Sequence, residues 1–156
     1  MYSLLKNERA ADSLPLKFTI TSLLILMIMA LFFTAISDLK QNAEEDSIQT
    51  EIAQLVSNAE QIYIRGEGSL IYTQVEIPEN AEVHLGKVPD EDEVWPSNSN
   101  NYYILIDGHQ KMFESKAAFS NTNMTGPYTI GPGHHELKLE TQIDNTSGMV
   151  IVKISE

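Results

Sequence analysis

FTITSLLILMIMALFFTAI, residues 18–36, is the stretch from which the rest of the chain is read. It contains no charged residue, no proline and no glycine. At 1.5 Å per residue, a helix of this length covers about 28 Å, close to the hydrocarbon thickness of a bilayer. Lipid offers no hydrogen bonds to an open backbone, and a helix satisfies its own polar groups, so the stretch is expected to be helical throughout. Phe18, Leu23, Leu24, Ile25, Leu26, Met27, Ile28, Leu31, Phe32, Phe33 and Ile36 would form the anchor, with membrane lipid as their surroundings. A core helix of a soluble domain has a similar composition. A chain of 156 residues, however, has little protein to enclose such a helix on every side.

Charge is divided unevenly around the span. Residues 1–17 carry Lys6, Arg9 and Lys17 against Glu8 and Asp12, while residues 38–156 carry seven basic and twenty acidic side chains. Basic residues at the amino end of a span favour retention of that end in the cytoplasm, so the acidic bulk of the chain is expected outside. A domain of that charge repels phosphate backbones, which argues against nucleic acid as a partner. The absence of cysteine excludes disulfide staples and thiolate chemistry, leaving the hydrophobic core to hold the domain.

Between Lys17 and Arg65 there is neither proline nor glycine. Ile48, Ile52, Leu55, Ala59 and Ile62 recur at helical spacing, with Glu44, Glu45, Glu51, Gln54 and Glu60 on other faces. This predicts a helix from about residue 14 to 63, with a weak link at KQNAEEDS, residues 40–47, where no apolar anchor exists. The stripe has two destinations open to it: the following domain, or stalk helices of neighbouring subunits.

After Gly66-Glu67-Gly68, which suits a helix C-terminal cap, the periodicity becomes two. Ile71, Thr73, Val75 and Ile77 share one strand face; Leu137, Leu139, Thr141 and Ile143 share another, as do Val150, Val152 and Ile154. Short strands are also expected around Val83 and Leu85, at Tyr102–Ile106, His109–Ser115 and Tyr128–Ile130, with Asp107-Gly108 as a hairpin turn. The expected fold class is therefore α+β: a long N-terminal transmembrane and stalk helix followed by a small antiparallel β-sheet or β-sandwich. The organisation is leader 1–17, span 18–36, stalk 37–64 and β-domain 66–156.

The leader MYSLLKNERAADSLPLK ends its charged part in Arg9-Ala10, just ahead of the span, and no A-x-A cleavage site follows the span. Charged leader, long apolar helix and exported β-rich domain together resemble the class III signal peptide layout of archaeal type IV pilin-like proteins, which include pilins and archaellins. The resemblance covers roughly residues 5–63 and rests on layout. It implies a prepilin-peptidase cut at Arg9, Ala10 and Ala11, with Ala11 as the mature start. It also implies self-association or association with other pilin-like subunits, and N-glycosylation on the cell surface. The chain departs from bacterial pilins at the fifth mature position, where Pro15 stands in place of glutamate, and in the six residues, Lys17 among them, that separate Ala11 from the apolar run. A single-pass anchor that is never cut remains the alternative.

Signals for chemistry are sparse. His134 and His135 are adjacent and so point to opposite faces of a strand, and His84 and His109 lack ligand spacing, so no metal site is expected. Asp90, Glu91, Asp92 and Glu93 form an acidic run without the spaced pattern of a calcium loop. Trp95 is placed to anchor that loop on the sheet. No nucleophile elbow, phosphate loop or dinucleotide fingerprint occurs, so neither catalytic residues nor a cofactor are expected. Asn123-Met124-Thr125 and Asn145-Thr146-Ser147 are glycosylation sequons, making Asn123 and Asn145 candidate modification sites.

Overall fold

The computed structural model describes residues 8–89, 95–145 and 147–156; within the helix, the side chains of residues 8–14, 38 and 41 fall outside the description. The chain forms two compact units, Met1–Ala43 and Glu44–Glu156. The boundary lies in the 40–47 stretch that lacks an apolar anchor.

Among the described residues one α-helix, α1, covers Glu8–Arg65. The chain is already helical at Glu8, about six residues before the sequence predicts, so Pro15 lies inside the helix. Proline has no N–H to give the carbonyl four residues back, which costs that turn one bond. Residues 40–47, where the sequence offers no apolar anchor, are helical. At its carboxyl end Gly66, with φ 89°, reverses the chain, and its N–H bonds to the Tyr63 carbonyl at 3.1 Å.

In the second unit two four-stranded sheets follow. β1 (Leu70–Ile77), β7 (Gly133–Ile143), β8 (Val150–Ser155) and β5 (Phe119–Ser120) form the first, in that order. β4 (His109–Glu114), β3 (Asn101–Ile106), β2 (Ala81–Leu85) and β6 (Tyr128–Ile130) form the second. Every ladder is antiparallel except β5 with β8, a two-residue parallel pair in a stretch whose sequence shows no strand period. Asp107 and Gly108 both take positive φ and close the β3–β4 hairpin, as the Asp-Gly signal predicts.

The stalk stripe goes to the chain's own domain. Ile48, Ile52, Leu55, Ala59 and Ile62, joined by Val56, are buried in one cluster with residues from all eight strands' inner faces except β4, whose Phe113 packs at its margin. Large side chains of this kind each contribute about 1.5–3 kcal/mol when removed from water, so the stripe supplies a share comparable to the whole net stability of a small domain. Two glutamates pin it further. Glu51 Oε2 accepts the Glu76 backbone N–H of edge strand β1 at 2.8 Å. Glu60 Oε1 accepts the Ser115 hydroxyl at 3.0 Å and the Lys116 N–H at 2.9 Å, just past β4. The helix segment is thereby bonded to both sheets.

Thr141 fixes the turn from helix to sheet. Its hydroxyl donates to the Gly66 carbonyl and accepts the Ser69 N–H at 2.9 Å, while its backbone N–H bonds to the Ser69 carbonyl and its carbonyl accepts the Gly68 N–H, both at 2.9 Å. The side chain is buried, so these groups have no water to turn to. At Gly86, φ is 84° and a Cβ would stand 2.7 Å from the Phe119 carbonyl oxygen, so only glycine fits there. The same oxygen accepts the Trp95 indole N–H at 3.3 Å, which anchors Trp95 on the domain as the sequence suggests.

Replacing Thr141 by valine keeps the shape and strands the Ser69 N–H and Gly66 carbonyl. The variant is expected to lose about 1–3 kcal/mol of stability, measured by urea unfolding of the full chain in detergent. An unchanged midpoint would show that the hydroxyl does not hold the turn.

Candidate functional site: an exposed apolar helix

In the first unit the large side chains of residues 18–36 are exposed all round the helix, from 47 % at Ile28 to 76 % at Phe18. An amphipathic surface helix hides one face; this one hides none. It is one helix long and apolar enough to cross a membrane. Its hydroxyls are turned inward on the backbone. Thr19, Thr21 and Ser22 each donate to the carbonyl four residues earlier at 2.8 Å, and Thr34 donates to Leu31 at 2.9 Å. These are all the hydroxyl side chains of residues 18–36, so the stretch presents no unsatisfied side-chain polar group to its surroundings. The backbone at Arg9, Ala10 and Ala11 is helical.

On the β-domain His84, His134 and His135 each lie beside a carboxylate rather than beside one another. His134 Nδ1 lies 3.1 Å from Glu76 Oε2, across the β7–β1 ladder. His84 stacks on Tyr103 with ring centroids 4.4 Å apart; its Nδ1 is 3.1 Å from Thr129 Oγ1 and its Nε2 is 3.5 Å from Glu82 Oε2. Burial holds the His84 pKa below the ordinary value, and the Glu82 carboxylate opposes part of that shift. His109 stands at the β3–β4 turn. Among the described residues no group of three or more His, Cys, Asp or Glu is placed to hold a metal ion. The acidic run at Asp90, Glu91, Asp92 and Glu93 lies outside the described residues, as does Thr146 of the second sequon.

His135 has the most defined surroundings. Its Nδ1 is 2.5 Å from Glu156 Oε1 and its Nε2 is 2.9 Å from the Gly131 carbonyl. Both partners accept, and a neutral imidazole has one N–H where the charged ring has two. The hydrogen bond to Glu156 is the main cause of its raised pKa, against a smaller opposing effect of burial. Sequence spacing gave no hint of this clamp, because Gly131, His135 and Glu156 meet only when the β6–β7 turn, β7 and the end of β8 converge.

Both candidate modification sites are accessible. Asn123 is exposed in a tight turn organised by Asn121, whose Oδ1 accepts the N–H groups of Asn123 and Thr125 at 3.1 Å each. Asn145 is exposed in the β7–β8 connection. No protein family, curated protein or solved structure matches this chain.

Two outcomes test this geometry. Met27→Arg places a charge mid-span and is expected to weaken membrane retention by about 2.5–3.5 kcal/mol, read as protein released by carbonate washing; retention at the wild-type level would show that lipid does not hold the helix. The His135 clamp has a raised folded pKa, so its contribution to stability is complete below about pH 6.5 and is lost as pH rises through the folded value. The urea midpoint is expected to fall across that window, and Glu156→Gln to flatten the fall; an identical pH profile for the variant would remove the clamp.

Proposed function

We propose that this chain is a single-pass membrane protein with a cytoplasmic N-terminus and an exported acidic β-domain, acting as a pilin-like structural subunit or minor component of an archaeal type IV filament or its assembly machinery. The observation that carries this reading is the division of labour within α1. Residues 18–36 are apolar on every side with their hydroxyls internally bonded, and residues 48–62 are committed to their own domain. Such a helix half is suited to lipid before assembly and to a bundle of like helices after it. Neither environment requires an ionised group of the span to be desolvated, because it has none. The β-domain, with Asn123 and Asn145 exposed, would form the outer and glycosylated surface. Partners on this reading are lipid and other pilin-like subunits, and nucleic acid is disfavoured by charge.

A second reading, a permanently anchored β-domain that binds a protein, glycan or envelope partner without a filament, is favoured by one observation. The helical assignment extends through Ala10-Ala11, whereas a peptidase works on an opened backbone. Intact-mass measurement on the membrane-extracted protein separates the two. Loss of residues 1–10 is expected for the pilin-like subunit, and an intact leader would leave the fixed anchor standing in its place.

A further inference from the structure

β4 is an end strand of its sheet, and the antiparallel ladder fixes which of its backbone groups point outward. The Ser115 N–H bonds to the Asn100 carbonyl at 2.8 Å, which sets the phase: His109, Lys111 and Phe113 exchange bonds with β3, while Gln110, Met112 and Glu114 turn their N–H and C=O groups to the edge. The same reasoning on β1, from the Thr141 N–H to the Ser69 carbonyl, turns the Glu76 N–H outward, where Glu51 accepts it. Among the described residues nothing bonds to the outward backbone groups of Gln110, Met112 or Glu114. An open row of this kind is a template for another strand, and proteins usually blunt it.

Beside this edge lies a groove of about 760 Å³ within the second unit. Tyr102, Ile104 and Phe113 line it from the sheet, and its α1 side is mostly polar, with Asp46, Gln49, Thr50 and Gln54 around Ala53. We propose that the β4 edge and this groove accept an extended segment of a partner protein as an added strand, apolar at alternate positions and basic between them. The row of alternating donors and acceptors selects a peptide main chain, since neither a lipid tail nor a compact ligand repeats at strand spacing. Every second side chain of the added strand would fall toward the sheet side of the groove, beside Tyr102, Ile104 and Phe113. The intervening ones would lie on the face of Gln110, Met112 and Glu114, where Glu114 favours a cation. The excess of twenty acidic over seven basic side chains in residues 38–156 acts in the same direction. The inference stands apart from filament assembly and holds for either reading above.

The test uses the full-length chain in detergent micelles and a labelled heptapeptide, Val-Lys-Val-Lys-Val-Lys-Val, followed by fluorescence anisotropy. Saturable binding is expected, with affinity at least about tenfold weaker for the same peptide methylated on every backbone nitrogen, since that change removes the main-chain donors and keeps the charges. Amide exchange at Gln110, Met112 and Glu114 is expected to slow when the unmethylated peptide is added. Met112→Pro deletes one outward donor that β3 does not use, and is expected to weaken binding about tenfold while leaving the unfolding midpoint in place. Should the proline variant fail to fold, the exchange measurement on the unaltered chain decides. No binding, equal binding of the methylated peptide, or unslowed exchange at the three amides would each overturn the proposal. Concentration-dependent pairing of the chain with itself that Met112→Pro abolishes would overturn it too, by assigning the edge to a second copy.

Discussion

Burial of one helical stripe in the β-domain is the contact on which the described fold depends. Two four-stranded sheets of short strands have limited apolar surface of their own, and Ile48, Ile52, Leu55, Ala59 and Ile62 complete the cluster that neither sheet closes alone. The commitment is directional. Once that face is inside its own domain it is withdrawn from any neighbour, so association through α1 falls to the exposed residues of its amino-terminal half.

Charged residues on the flanks of the stripe are structural. On a helical wheel Glu51 and Glu60 look like an ordinary solvated face. In the folded domain each carboxylate accepts backbone N–H groups that no ladder serves, one at the edge of β1 and one after β4. An ionised acceptor is a strong partner for such a group, because bonds involving a charge are roughly twice as strong as neutral ones. Thr141 does comparable work without charge, satisfying the chain where it leaves the helix and enters the first strand. The β1 edge is thus capped at one point, whereas among the described residues the β4 edge is left open beside a groove.

The apolar half of α1 obeys a different rule. Serine and threonine are poor choices for a helix that must shed water, unless each hydroxyl is returned to the backbone. Thr19, Thr21, Ser22 and Thr34 all do this, so the polar atoms interrupting the apolar run are removed from its outer surface. No packing partner is needed to explain their presence, and no polar contact is left waiting for one.

Much of the fold was legible because it follows local periodicity. The span is a question of length and composition, the stripe one of helical spacing, and seven of the eight strands one of alternation or of a turn such as Asp107-Gly108. The inward faces of β1, β7 and β8 are the ones alternation selects, because a period of two leaves a strand no other way to hide its apolar set. Tertiary structure alone decided the rest. Phe119 and Ser120 are a strand only because β8 offers a parallel partner. The stripe's destination, the roles of Glu51, Glu60 and Thr141, the His135–Glu156 contact and the open β4 edge all join residues far apart in the chain. A sequence records what a residue can bond with; which group it meets is fixed only when strands distant in the chain come to lie side by side.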